Sequence, residues 1–167
     1  MDHDETLAPG DYPALLRQAE ALLAGETDYL ANAANLAALL YAHLPRINWA
    51  GFYFFDGHEL VLGPFQGKVA CTRISLDRGV CGAAARARKS LIVADVHAFA
   101  GHIACDAASA SELVVPMLRG DALIGVLDID SPEKNRFGPA EQELAEGLVA
   151  LYIRASNSVS CAAFSTR

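Results

Sequence analysis

NWAGFYFFDGHELVLGPF, residues 48–65, is the stretch on which the reading of the fold turns. Aromatic side chains run from Trp49 to Phe55, Asp56-Gly57 supplies a tight turn, and HELVLGPF returns with its own apolar residues, so the segment reads as a β-hairpin. A sheet therefore begins here, while the chain before it reads as helical. Asp11 can cap a helix with Pro13 in its first turn and Leu15, Leu16, Ala19, Leu22 and Leu23 at helical spacing up to Gly25. A second helix is expected from Thr27 as cap, with Leu30, Ala34, Ala37 and Tyr41 on its apolar face, until Pro45 stops it. After the hairpin, strands are expected at 70–74, 90–96, 111–118 and 121–130, the last two joined by the tight Arg119-Gly120-Asp121 turn. Such short connections fit antiparallel pairing. Gly79-Val80-Cys81-Gly82 opens a short helix over AAARARK, and residues 97–111 form a long loop of small residues. Gly138-Pro139 starts a last helix with Leu144, Leu148 and Leu151 on one stripe.

The 167 residues suit one domain over 1–167, with an ordered core over about 12–154 and a flexible leader and tail. At 53% hydrophobic and 20% charged the chain can build a core, which excludes global disorder. Thirteen Lys and Arg against twenty Asp and Glu give a net charge of −7, which argues against nucleic acid and anionic membrane surfaces as partners. No window reaches the roughly 18 consecutive apolar residues of a membrane span. The acidic start MDHDETLAPGDY is no export signal, so a cytoplasmic location is expected, where thiols stay reduced unless they do chemistry.

Three of the four cysteines, Cys71, Cys81 and Cys105, fall within 35 residues, and none belongs to a C-x-x-C pair. Together with His97 and His102 they match no compact ligand spacing, so no metal is expected. Cys105 lies in the small-residue loop directly before Asp106 and ahead of Glu112, and Cys71 lies in an expected strand. Cys81 sits at a Gly-flanked strand-to-helix turn, where a helix N-terminus would lower a thiol pKa. Cys161, in the tail, reads as a bystander. Three thiols that meet in one cleft suit redox chemistry through sulfenic acid and disulfide.

In the last strand the two-residue period puts Ile124, Val126, Asp128 and Asp130 on one face and Leu123, Leu127 and Ile129 on the other. Carboxylates on an apolar face have two readings. Either the strand emerges into solvent, with Asp130-Ser131-Pro132 as an Asx-type turn, or the pair lines a pocket for a cationic group. Trp49, Phe52, Tyr53 and Phe55 read mostly as core, yet Trp49 and Tyr53 need partners for their polar tips and would wall a site for a small methyl-bearing ligand.

The strings INWAGFY, LGPFQGKVACTRI, RGVCG, VHAFAGHIACDAASASELVVPM and LIGVLDIDSP, in this order within about residues 12–153, resemble the free methionine-(R)-sulfoxide reductases, a family with the GAF fold. The resemblance implies an α+β fold: a single GAF-like domain with a six-stranded antiparallel sheet flanked by helices, often a homodimer. It implies reduction of free L-methionine (R)-S-oxide with no bound cofactor and with electrons from thioredoxin or another thiol reductant. Cys105 would be the attacking thiol, Cys71 the resolving one and Cys81 the third family cysteine. Glu112, Asp128 and Asp130 match the family's acidic pocket, and Trp49 and Tyr53 its aromatic wall. The alternative is a small-molecule-binding GAF sensor without catalysis. It would use the same cleft without requiring the thiols, and 167 residues leave no room for the output domain that such a sensor serves.

Overall fold

A computed structural model describes residue 8, residues 10–101 and residues 108–157, and it places the hairpin at the heart of the sheet. β1 (Trp49–Phe55) and β2 (Glu59–Gly67) pair antiparallel around Asp56, whose Oδ1 accepts the N–H groups of His58 and Glu59 at 2.9 and 3.0 Å. With β3 (Arg73–Ser75), β4 (Leu91–Val93), β5 (Ser111–Arg119) and β6 (Ala122–Ser131), the order across the sheet is β3-β2-β1-β6-β5-β4. Every neighbouring pair is antiparallel, as the sequence led one to expect.

Two strands are shorter than expected, each for a local reason. Of the segment 70–74 only Arg73 and Ile74 join a strand, which runs on to Ser75, while the Cys71 carbonyl serves a side chain instead, accepting from the Tyr53 hydroxyl. Just upstream the Lys68 carbonyl accepts from Trp49 Nε1. The segment 90–96 stops at Val93, because Asp95 accepts the His97 N–H at 3.0 Å and caps a single 3₁₀ turn, Val96–Ala98.

Among the described residues, four α-helices cover the sheet. α1 (Tyr12–Leu23) is capped by Asp11, which accepts the Ala14 N–H. α2 (Tyr29–His43) is capped by Asp28 rather than Thr27: Asp28 Oδ1 accepts from Leu30 and Ala31 at 2.9 and 2.8 Å. Its buried face also differs from the expected one. Asn32, Ala33, Leu36, Ala37, Leu39 and Leu40 point inward, whereas Leu30, Ala34 and Tyr41 are exposed. Apolar residues surround this helix on all sides, so periodicity alone left its orientation open. α3 (Gly79–Ala87) and α4 (Pro139–Ala155) complete the set. No helix among the described residues is long and apolar enough to cross a membrane.

Strand alternation divides the interior in two, except that β6 slips by one residue beside Gly125, so that Ile124 packs with the larger core and Leu123 with the smaller, the reverse of their expected faces. Phe52, Phe54, Leu113, Val115, Leu127 and Ile129 meet α1, α2 and α4 in the larger core. Trp49, Tyr53, Val114 and Val126 face the other way and meet Val80, Cys81, Ala84 and Ala85 of α3. One ion pair ties the larger layer together. Arg136, its side chain 2% exposed, donates to Glu141 at 2.8 Å and to the Pro45 carbonyl at 2.9 and 3.0 Å, while the Tyr12 hydroxyl donates to the same Glu141 oxygen at 2.6 Å. Arg136→Met is expected to cost about 1–3 kcal/mol in urea unfolding, since it leaves the Pro45 carbonyl without its donors and the half-buried Glu141 without its cation; an unchanged stability would mean that the pair holds nothing.

Candidate active site

Strand register decides which side chains share the α3 face. Glu112 of β5, Asp130 of β6 and Trp49 of β1 lie opposite one another in one row across three adjacent strands. Asp128 lies in the next row, opposite Val114 and Gly51, and Tyr53 in the row after, opposite Val126. The expected carboxylates and aromatic residues thus gather on neighbouring strands. Asp130 remains within β6, opposite Glu112 and Trp49, so the strand does not leave the sheet at Asp130 as the solvent-turn reading required.

The helix above the sheet adds Cys81, the third residue of α3. Its Sγ lies 3.8 Å from Glu112 Oε1, and donor atoms of Cys81, Glu112 and Asp128 all lie within 4.8 Å of one another. These three residues are 3%, 7% and 6% exposed, and Asp128 Oδ1 is buried with no hydrogen-bond partner. Gly82 permits the close approach of this helix: a Cβ there would stand 2.5 Å from the Ser75 carbonyl oxygen.

The aromatic wall depends on a residue that the sequence reading passed over. Trp49 stacks on Tyr53 at 5.9 Å between ring centres and on Phe65 at 5.3 Å, with its ring lying over Gly51. A Cβ at Gly51 would come within 2.6 Å of the indole and 2.4 Å of Phe65 Cβ. The signal was present in the sequence, since a glycine between aromatic residues within a strand marks close packing over bare backbone. Gly51→Ala is expected to lose about 1–3 kcal/mol through overpacking. Because Trp49 is the only tryptophan, its displacement would also shift the fluorescence emission; unchanged stability and emission would refute this packing.

Burial dominates the electrostatics. It pushes the Glu112 carboxyl well above the usual range, and the charges of Asp128 and Asp130 add to the effect. Burial also raises Asp128, to about 7, against the opposing pull of hydrogen bonds from Cys81, Glu112 and the Ile129 N–H. The Cys81 thiol is raised well above its ordinary value, first by burial and then by Asp128, Glu112 and Asp130. This corrects the expectation that a helix N-terminus lowers it. Desolvation and three acidic neighbours outweigh the partial charge of one helix end. Protons near neutrality therefore belong to this cluster, and a thiolate does not form readily at Cys81.

The other sequence-derived candidates fall as follows. Cys71 lies between β2 and β3 rather than inside a strand and is disulfide-bonded, whereas Cys81 is a free thiol. The Tyr53 hydroxyl donates to the Cys71 carbonyl at 3.1 Å, which joins the aromatic wall to that cysteine. His97 sits on the exposed 3₁₀ turn. Cys105, His102, Asp106 and Cys161 lie outside the described residues. Cys81, Glu112 and Asp128 are also the described group that could hold a metal ion.

Residues 31–155 match the GAF domain family. A free methionine-R-sulfoxide reductase of Escherichia coli (strain K12) is 53% identical over 139 residues, which cover 83% of this chain and 84% of that protein. The solved fRMsr of Staphylococcus aureus in complex with substrate superposes with a TM-score of 0.84 at 46% identity, covering 90% of this chain and 99% of that one. A free methionine-R-sulfoxide reductase from Neisseria meningitidis in complex with its substrate superposes with a TM-score of 0.79 at 43% identity, covering 86% and 89%.

Proposed function

The chain belongs to the free methionine-R-sulfoxide reductases, oxidoreductases with a GAF domain, and from that premise we propose that it reduces free L-methionine (R)-S-oxide by thiol attack within the cleft between α3 and the sheet. The observation that carries this reading is the buried pair Glu112 and Asp128, two carboxyl groups beside an aromatic wall and raised by the same desolvation.

A sulfoxide oxygen leaves sulfur only as it takes up a proton, so the reaction needs an acid at oxygen and a thiolate at sulfur. Glu112 is suited to be that acid, because burial and then the charges of Asp128 and Asp130 push its carboxyl well above the usual range, so that it holds its proton more tightly than an ordinary carboxyl. Asp128 and Asp130 hold the substrate ammonium, whose positive charge offsets the cost of burying carboxylates. Trp49 and Tyr53 pack against the methylthio end. The Cys105 thiolate attacks sulfur, the oxygen passes to Cys105 as a sulfenic acid, and methionine leaves. The Cys71 thiol then condenses with the sulfenic acid, releasing water and leaving a disulfide, which a dithiol reductant of the thioredoxin class reopens with two electrons. That Cys71 is disulfide-bonded while Cys81 is a free, protonated thiol supports Cys71 as the resolving partner. A single-domain, cytoplasmic homodimer is part of the same reading, and sedimentation velocity tests the assembly.

Purified protein with dithiothreitol should reduce the R diastereomer of free methionine sulfoxide and spare the S form. N-acetylation of the substrate should lower kcat/KM by about a hundredfold or more, because the acidic pocket then faces no cation. Comparable efficiency on free, N-acetylated and peptide-bound sulfoxide would show that the cleft does not enclose the amino acid.

A further inference from the structure

We propose that Cys81, Glu112 and Asp128 form a binding site for a borderline divalent cation of the zinc class, and that the bound metal excludes the substrate. Only the exclusion rests on the function proposed above; the metal site stands on its own geometry.

Three observations carry it. First, a thiol and two carboxyl groups come from three separate elements, α3, β5 and β6, with donor atoms mutually within 4.8 Å. Zinc–sulfur and zinc–oxygen bonds of about 2.3 and 2.1 Å at a tetrahedral angle would separate sulfur from oxygen by about 3.6 Å. The Cys81 Sγ to Glu112 Oε1 distance is 3.8 Å, so coordination needs little movement. Secondly, the donor set is mixed. Magnesium and calcium want oxygen alone, whereas one thiolate with two carboxylates suits zinc, cobalt(II) or cadmium. Thirdly, Asp128 Oδ1 is an acceptor in a residue only 6% exposed, and no hydrogen bond satisfies it. Such an atom is costly to bury, and a cation is the partner that would offset most of that cost.

Binding balances simply. The metal takes the place of the Cys81 proton and of any carboxyl protons, which pass to solvent, and no electron moves. Three protein ligands leave a fourth position for water, the open form of a zinc site, so the ion should exchange rather than become locked in. Asp128 cannot serve the metal and a substrate ammonium at once, which makes the two ligands mutually exclusive.

The test uses the reduced full-length protein, freed of metal, and cobalt(II) as probe. A thiolate-to-cobalt charge-transfer band in the near ultraviolet should saturate at one equivalent and vanish when zinc is added. The band should persist in the Cys71→Ser, Cys105→Ser, Cys161→Ser triple variant, which keeps only Cys81, and disappear in Cys81→Ser. Asp128→Asn should weaken cobalt binding at least tenfold, with the far-ultraviolet circular dichroism of each variant confirming an intact fold. No band in the reduced protein, a band that survives Cys81→Ser, or its loss in the triple variant would overturn the site. Free methionine-(R)-sulfoxide should displace cobalt from the triple variant, which cannot turn it over. An intact band under saturating sulfoxide would overturn the exclusion, while turnover by the metal-free wild type tests the reductase reading separately.

Discussion

Cys105→Ser is expected to abolish methionine formation even in a single turnover, with a loss of at least about 10³-fold relative to the first turnover of the reduced wild type. A serine hydroxyl has neither the acidity nor the nucleophilicity toward sulfur that the step demands, and no other thiol is suited to replace it. Cys81 is the nearest alternative by sequence, but burial and three acidic neighbours keep it protonated. Cys71→Ser should behave quite differently. It should give one methionine per chain and then stall with thioredoxin, because the sulfenic acid forms but lacks a partner. Acid-quench measurement of methionine, followed by peptide mapping of the oxidised wild type, checks both variants. A stoichiometric burst from Cys105→Ser would remove it as nucleophile, and an oxidised protein without a Cys71–Cys105 bridge would remove Cys71 as its partner.

The second large effect separates two carboxyl groups that look alike in the sequence. Glu112→Gln should lower kcat by about two to four orders of magnitude with a smaller change in KM, the signature of a lost general acid. Asp128→Asn should mainly raise KM, since an ammonium bound alike in ground and transition states contributes uniform binding. Glutamine and asparagine preserve shape and some hydrogen bonding, so the packing of Cys81 and Trp49 should survive either change. If Asp128→Asn carries the kcat loss and Glu112→Gln the KM change, the two roles must be exchanged.

Much of this architecture could be read from local pattern. The hairpin around Asp56-Gly57 was legible because turn chemistry and strand alternation agree there. Asp128 and Asp130 stood out because an acidic residue at alternate positions of an otherwise apolar strand breaks the pattern that burial imposes. Other features depend on groups far apart in the chain. The state of Cys81 is set by Glu112 and Asp128, 31 and 47 residues further on, which reach it only through strand register. Its own neighbours pointed to the opposite shift. The face of α2 was misread because alanine, leucine and tyrosine surround it almost evenly, and the underside of the sheet, absent from any local window, chose Leu36 and Leu40. Arg136 gave no sign of being buried, since one of its partners, the Pro45 carbonyl, lies 91 residues away in the turn between α2 and β1.

Residue by residue, β6 serves two masters: Asp128 and Asp130 face α3, whereas Leu127 and Ile129, which alternate with them, face the three-helix layer. Gaining or losing one residue between Gly125 and Asp128, beyond the slip beside Ile124, would exchange the two sets, driving both carboxylates beneath α2 and α4 and presenting leucine and isoleucine to the cleft. Descendants of this sequence can therefore change length at Arg119-Gly120-Asp121, where a turn absorbs the difference, but hardly at all from Gly125 to Asp130, where the pairing is regular. A lineage carrying this chemistry should keep the spacing from that turn to the two aspartates while its loops grow and shrink, and chimeras between relatives should be joined at the turn and never inside the strand.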